Sequence, residues 1–229
     1  LRTWSFWVDR GGTFTDIIAV SSNGDYHSIK VLSEDPDHYH DAVSFGIQSF
    51  LSEQHPTIPT ENLSTLISEI KMGTTVATNA LLERKGAATL LVVNQGFEDL
   101  MIIRDQSRAN LFDQNIRRQS PLYRHVIGIS ARLDADGNEV VKLDKEAIKS
   151  QLLKFYQQGN QAIAIALMHS YRNPLHEQEV AELAKQIGYT TIVLSHQASP
   201  APKLLPRAET TLIDAYLSPV VHDYVNRLQ

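Results

Sequence analysis

Asp9-Arg10-Gly11-Gly12-Thr13-Phe14-Thr15-Asp16 decides how the rest of this 229-residue chain is read. A strand-like run, Ser5 to Asp9, leads into it, and a second, Phe14 to Val20, leads out, so the glycine pair joins two strands through a tight turn. A Gly-Lys-Ser/Thr phosphate loop needs a lysine after the glycines and a helix beyond them; neither is present. The dinucleotide fingerprint fails too, because it runs strand, turn, helix. What remains is a β-turn with side-chain-free backbone, whose N–H groups can approach a phosphate closely. Alternation along the second strand places the hydroxyls of Thr13 and Thr15 on one face. Asp9, closing the first strand, suits a hydrated Mg²⁺ or an oriented water, because magnesium takes few carboxylates and keeps its waters. A plain hairpin accounts for Gly-Gly alone as well as a phosphate loop does.

Outward from this turn, Asn23-Gly24 signals a hairpin and Tyr26 to Leu32 a third strand, giving an antiparallel meander. Pro36 opens a helical stretch to about Gln54, with Ala42, Val43, Ile47, Phe50 and Leu51 near a 3.6-residue period. Glu69 to Met72 reads as a short strand, Thr75 to Lys85 as a helix closed by Gly86, Thr89 to Val93 as a buried strand and Phe97 to Ile102 as a helix. Strands joined through helices call for parallel pairing. After a loop-rich stretch from Gln106 to Arg124, Val126–Leu133 and Glu139–Lys142 flank a turn at Asp134–Asn138. A helix capped by Asp144, a strand over Ala162–Met168, a helix over Pro174–Ile187 and a strand over Thr191–Leu194 follow. Glu209 to Leu228 reads as a last helix that Pro219 should kink or split. The expected organisation is a first domain over 1–105, a second α/β segment over 106–205 and the start of a further domain over 206–229.

Composition narrows the class. Hydrophobic residues at 42% and charged residues at 21% are those of a globular protein, and a net charge of −5 gives no basic surface for nucleic acid. No apolar run reaches the ~18 residues of a membrane span, and no signal peptide opens the chain. The absence of cysteine excludes a disulfide scaffold, a thiolate metal site and a cysteine nucleophile, and fits a reducing compartment; a cytoplasmic location is the expectation. The chain starts with Leu1 and its last predicted helix runs to the final residue, so a fragment of a longer protein is expected.

The octapeptide in its βββαβα order resembles the first phosphate loop of the ATPase superfamily that includes actin, chaperone ATPases and sugar kinases. Gly73-Thr74-Thr75-Val76-Ala77-Thr78-Asn79-Ala80-Leu81-Leu82-Glu83-Arg84-Lys85-Gly86 is similar to a signature of the hydantoinase A / 5-oxoprolinase family. Lys30–Pro36 (KVLSEDP) and Leu167–Tyr171 (LMHSY) look more like the 5-oxoprolinase branch than the N-methylhydantoinase branch, and Pro206-Arg207 and Asp214–Leu217 match the family's spacing.

The resemblance implies an α/β fold with a ribonuclease-H-like (actin-like ATPase) βββαβαβα unit, followed by a second α/β segment. It implies ATP with Mg²⁺, and the ATP-driven opening of a cyclic amide, 5-oxo-L-proline to L-glutamate with ADP and phosphate. A lactam is a resonance-stabilised amide, so phosphorylating its oxygen would supply the leaving group that water needs; the protein must then position the γ-phosphate and neutralise its charge.

By the same resemblance, Asp9 holds Mg²⁺ and acts with Thr13 in catalysis. Arg10, Gly11, Gly12, Thr13, Thr15 and Asp16 serve the nucleotide, with Thr15 and Asp16 supporting the loop. Gly73, Thr74 and Thr75 lead into a helix whose N–H groups favour an anion, with ordinary N-capping by either threonine as the alternative. Asn79, Arg104, Arg108 and His169 are the candidates for substrate. Arg10 either stabilises transferring charge or points to solvent.

That superfamily closes ATP between two related domains, and no second Asp-x-Gly-Gly-Thr occurs here. Remaining C-terminal domains or a second subunit are therefore expected as partners beside the lactam, a homo-oligomer is left open, and the 229 residues alone are expected neither to bind ATP tightly nor to turn it over. Competing readings are an N-methylhydantoinase A-type subunit, an actin-like nucleotide switch without small-molecule chemistry, and a sugar or carboxylate kinase. Elsewhere, His38, His40 and their neighbouring aspartates read as a solvated helix start, and His176-Glu177 lacks the second histidine of a zinc-protease motif.

Overall fold

Antiparallel pairing begins where the first turn predicts it. The computed structural model, which describes residues 2–105 and 120–226, pairs β1 (Trp4–Arg10) with β2 (Phe14–Ser21), and β2 with β3 (Tyr26–Leu32). The chain divides into two units, Leu1–Glu83 with Val220–Gln229, and Arg84–Pro219. The second is thus inserted in the sequence of the first.

In the first unit, α1 (Ala42–Gln54) begins six residues later than the pattern suggests, because the Asp41 carboxylate accepts the N–H of Ser44 and sets the N-cap there. The preceding residues are instead drawn into turns, with the His38 and Tyr39 N–H groups donating to the Asp35 carbonyl. A 3-10 helix (Thr60–Leu66) then leads to β4 (Ile67–Thr74), longer than expected and parallel to β1. The sheet order is β3-β2-β1-β4. Alternation decides the core: Trp4, Phe6 and Val8 of β1 and Ile17 and Ala19 of β2 pack with Val43, Ile47, Phe50 and Leu51 of α1. Asp9 falls on the other face, where it is exposed. The short helix α2 (Val76–Leu82) follows β4.

The second unit corrects the expected topology. β5 (Thr89–Asn94) does not extend the first sheet; it lies inside a separate parallel sheet of order β10-β9-β5-β6, with β6 (His125–Ile129), β9 (Ala162–Ile165) and β10 (Thr191–Leu194). Both of its faces are covered, which is why β5 and β9 are buried along their whole length. Leu90, Val92, Ile163 and Ile165 face α4 (Lys145–Gln157) and α5 (Leu175–Ile187). Leu91, Val93 and Ala164 face Met101 of α3 (Leu100–Ile103) and Ala208, Leu212 and Ala215 of a long helix. The predicted hairpin forms between β7 (Arg132–Leu133) and β8 (Glu139–Val141), its turn held by Asp134 Oδ1 accepting from Asp136 and Asn138 N–H.

A four-residue helix, α6 (Ser195–Ala198), precedes that long helix, α7 (Leu204–Asn226). α7 starts before the expected Glu209, with Pro206 tolerated in its first turn, and it runs through Pro219 without splitting. Among the described residues, no helix is long and apolar enough to cross a membrane.

Candidate functional site

The first unit brings its two glycine-threonine segments together at the carboxyl ends of neighbouring parallel strands. Register pairs Asp9 with Gly73 and Arg10 with Thr74. The Arg10 carbonyl accepts from the Thr75 N–H at 3.3 Å and from the Thr74 hydroxyl at 3.4 Å, so the turn after β1 is tied to the turn after β4. One turn into α2, Asn79 reaches back: a Cβ on Gly12 would stand 3.1 Å from Asn79 Nδ2. A side chain at position 12 would therefore crowd the end of Asn79. Thr74 Oγ1 also accepts the Val76 N–H at 3.2 Å, while Thr75, at the cap position, makes no side-chain capping bond.

The turn has a definite polarity. Gly11 donates its N–H to the Phe14 carbonyl at 3.0 Å. Among the described residues, the N–H groups of Gly12 and Thr13 donate to no other group, and Thr13 is exposed. These two amides, the Thr13 hydroxyl and the Asn79 amide make a small set of donors after the end of β1, the strand that carries the exposed Asp9. Asp9 itself makes no side-chain hydrogen bond or ion pair among the described residues.

Two sequence expectations change here. Thr13 lies in the turn, before β2 begins, and does not share the environment of Thr15, which is wholly buried. The Ser33 hydroxyl donates to the Gly11 carbonyl at 2.8 Å. Its single proton being used, it accepts from the Thr15 hydroxyl at 3.0 Å, and Thr15 becomes part of the loop's support. The Arg10 side chain does not point to solvent. Its Nη1 donates to Asp41 Oδ1 at 2.8 Å and its Nη2 to the Ser33 carbonyl at 3.3 Å, with the guanidinium 4.9 Å from the centre of the Tyr224 ring. Its charge is therefore matched inside the unit. Asp16 is exposed and pairs with Lys30 at 2.5 Å.

The remaining candidates belong to the second unit. Arg104 has a positive φ of 54° and pairs with Glu209 at 2.7 Å. Arg108 lies outside the described residues. His169 follows β9, has a φ of 61°, and its buried Nδ1 has no hydrogen-bond partner among the described residues. Close by in sequence is a polar cluster that the sequence pattern did not mark. Glu177, fully buried in α5, accepts from the Leu167 N–H at 2.9 Å, the Ser195 hydroxyl at 2.5 Å and the His196 N–H at 3.1 Å, with His196 Nδ1 at 2.6 Å. Arg207, also fully buried, donates to Ser195 Oγ and to the carbonyls of Leu167, Ala201 and Pro202. Burial lowers the Arg207 pKa, and the Glu177 charge opposes that shift. Every bond in this cluster fastens loops that follow β9 and β10, which marks it as structural.

Ser33, Asp41 and Tyr224 also escaped the sequence reading as site residues. A signal for Ser33 exists, because pairing Phe14 with Leu32 puts the residue just after β3 opposite Thr13.

A Mg²⁺ ion fits this donor set in one way only. Among the described residues no three His, Cys, Asp or Glu side chains converge. A single free carboxylate, Asp9, would share the ion with waters and phosphate oxygens, which is how magnesium is commonly bound.

Comparison with known proteins places these features in context. The hydantoinase/oxoprolinase N-terminal region family matches residues 5–188. A 5-oxoprolinase of Dictyostelium discoideum is 40% identical over 98% of the chain, and 5-oxoprolinase 1 of Arabidopsis thaliana is 40% identical over 96%. The chain spans 20% and 19% of these two proteins, respectively. An ATP-dependent caprolactamase from Pseudomonas jessenii superposes with a TM-score of 0.82 at 29% identity, covering 98% of this chain and 33% of that one.

Proposed function

The chain belongs to the hydantoinase/oxoprolinase family through its N-terminal region, and from that premise we propose that it forms one wall of the ATP site of a 5-oxoprolinase. The reaction is the hydrolysis of 5-oxo-L-proline to L-glutamate, coupled to cleavage of ATP to ADP and phosphate. The observation that carries this reading is the Arg10 carbonyl held by both Thr74 and Thr75, which sets the turn at Gly11–Thr13 beside the start of α2. The relatives named 5-oxoprolinase support the choice of ring, and the caprolactamase supports the wider class of ATP-dependent lactam opening.

In this mechanism the amides of Gly12 and Thr13 and the Thr13 hydroxyl bind phosphate oxygens. Asn79 adds a donor from the α2 side, and Gly73 keeps the neighbouring turn free of side chain. Donors fixed before the reaction stabilise charge as it develops on the transferring phosphoryl group. Asp9 would hold Mg²⁺, which supplies charge neutralisation for the phosphates. The γ-phosphoryl group passes to the lactam oxygen with ADP as leaving group. Water adds to the activated carbon and the ring C–N bond breaks, its nitrogen taking the protons, to leave an acyl phosphate. A second water cleaves that acyl phosphate to L-glutamate and phosphate. Thr15, Asp16 and Arg10 keep the turn in shape. Arg104, Arg108 and His169 remain candidates for the lactam carboxylate and ring.

The meander with one added parallel strand supports a ribonuclease-H-like reading of the first unit. The part of the protein beyond one fifth of its relatives' length supplies the remaining domains or a second subunit under this proposal, and the 229 residues alone do not turn over ATP.

The substrate is tested by measuring phosphate release from the native polypeptide with Mg-ATP and either 5-oxo-L-proline or N-methylhydantoin. Release of phosphate and glutamate together, only with 5-oxo-L-proline, is expected. Release with N-methylhydantoin alone would move the protein to the hydantoinase branch, and release with neither would remove both.

A further inference from the structure

Ser33 touches the phosphate loop at four of its positions. Its N–H donates to the Thr13 carbonyl at 2.9 Å, its hydroxyl donates to the Gly11 carbonyl at 2.8 Å and accepts from Thr15, and its carbonyl accepts from Arg10 Nη2. It is 4% exposed and sits just past the end of β3. We propose that Ser33 is a positioning residue that presets the loop for phosphate, a role that rests on the phosphate-binding reading above.

Peptide geometry supplies the reason. The Gly11 carbonyl and the Gly12 N–H belong to one planar trans unit, and they point in opposite directions. Fixing the carbonyl on Ser33 therefore aims the Gly12 N–H away from the Ser33 hydroxyl, and among the described residues that N–H donates to no other group. A Gly-Gly turn without this anchor has more conformations than any other dipeptide, and its amides would have to be ordered at the moment of binding. Ser33 moves that entropic cost from ligand binding to folding. It never touches the phosphate itself: its proton is engaged by Gly11 and its oxygen by Thr15.

The role predicts a split between the two substrates. In the native polypeptide, Ser33→Ala raises KM for Mg-ATP about tenfold, the loss of one or two net hydrogen bonds, while KM for 5-oxo-L-proline at saturating ATP stays at the wild-type value and the thermal midpoint falls only by the loss of those two buried hydrogen bonds. Ser33→Cys, nearly isosteric but a weak donor, behaves like Ser33→Ala, and Ser33→Thr restores most of the ATP affinity. Wild-type KM for Mg-ATP in Ser33→Ala would overturn the proposal, as would a rise in both KM values. Gly12→Val separates the two levels of failure. If it abolishes phosphate release and Ser33→Ala does not alter ATP kinetics, only the bracing role falls. If the wild-type polypeptide releases no phosphate from ATP, the functional reading falls and this role with it.

Discussion

Arg10 and Asp41 form an ion pair, Nη1 to Oδ1 at 2.8 Å, between side chains that are 15% and 9% exposed, and the second oxygen of Asp41 caps α1 at 2.7 Å from the Ser44 N–H. One carboxylate thus fastens the first helix and the residue that opens the glycine turn. Asp41→Ala removes both contacts and leaves the guanidinium with only the Ser33 carbonyl and the Tyr224 ring. A loss of about 2–4 kcal/mol is expected, from a cap worth ~1 kcal/mol and a mostly buried pair. Asp41→Asn keeps a capping oxygen and should lose less. Thermal unfolding of the two variants, side by side, checks the order.

Gly12 is predicted to matter for nucleotide and little for stability. The atom that a Cβ would meet is the end of the Asn79 side chain, which can move, so Gly12→Ala should fold normally. Displacing Asn79 and crowding the turn should still weaken Mg-ATP binding by about tenfold, the equivalent of one good hydrogen bond. Gly12→Val should abolish detectable binding. Titration calorimetry with Mg-ATP on the native polypeptide reads both.

These contacts show what the sequence could and could not convey. The meander was legible because Gly11-Gly12 and Asn23-Gly24 mark both turns locally, and Asp134–Asn138 marked its hairpin for the same reason. Much of the neighbourhood of the phosphate loop was not: Ser33, Asp41 and Tyr224 reach residues 10–15 from distant points in the chain. β5 shows the other limit. A run such as Thr89–Val93 declares that it is buried on both faces, but nothing in it says which sheet it joins, and it joined the second. The start of α1 was misplaced because Pro36 and Asp41 both look like helix openings, and only Asp41 has its capping bond.

In the second unit, Glu177 is predicted to be a stability residue. It accepts from two backbone N–H groups and a hydroxyl, with the His196 ring beside it, and Arg207 is linked to it through Ser195. Glu177→Ala leaves those donors buried without an acceptor, and a loss of about 3–5 kcal/mol follows. Arg207→Ala should cost a similar amount. Soluble yield and thermal midpoint of the two variants test this, and a neutral outcome for either would refute a structural role.

Tyr189 supplies a pH prediction. Its hydroxyl donates to the Leu152 carbonyl at 2.9 Å, and burial first, then the neighbouring Tyr156, push its pKa well above the usual tyrosine value. The folded state therefore favours the protonated phenol. Its contribution is complete below the unfolded-state pKa of about 10 and declines as pH rises from there toward the folded value. Tyr189→Phe should lose about 1 kcal/mol at neutral pH, and its midpoint should fall less steeply than wild type between pH 10 and 11. Parallel melting curves across that range would show the two converging; curves that stay parallel would contradict the assignment.

Asp9 gives the most direct test of the ATP site. Phosphate release by the native polypeptide carrying Asp9→Asn is measured beside wild type, with Mg-ATP and 5-oxo-L-proline. Asn keeps the size of the side chain and removes the charge that would hold the metal, so the fold should be unaffected because Asp9 is exposed and makes no side-chain bond among the described residues. A fall in rate of at least about 100-fold, with an unchanged thermal midpoint, is predicted for the loss of a group that positions charge at the transferring phosphate. Wild-type turnover in Asp9→Asn would contradict the assignment of this loop to ATP.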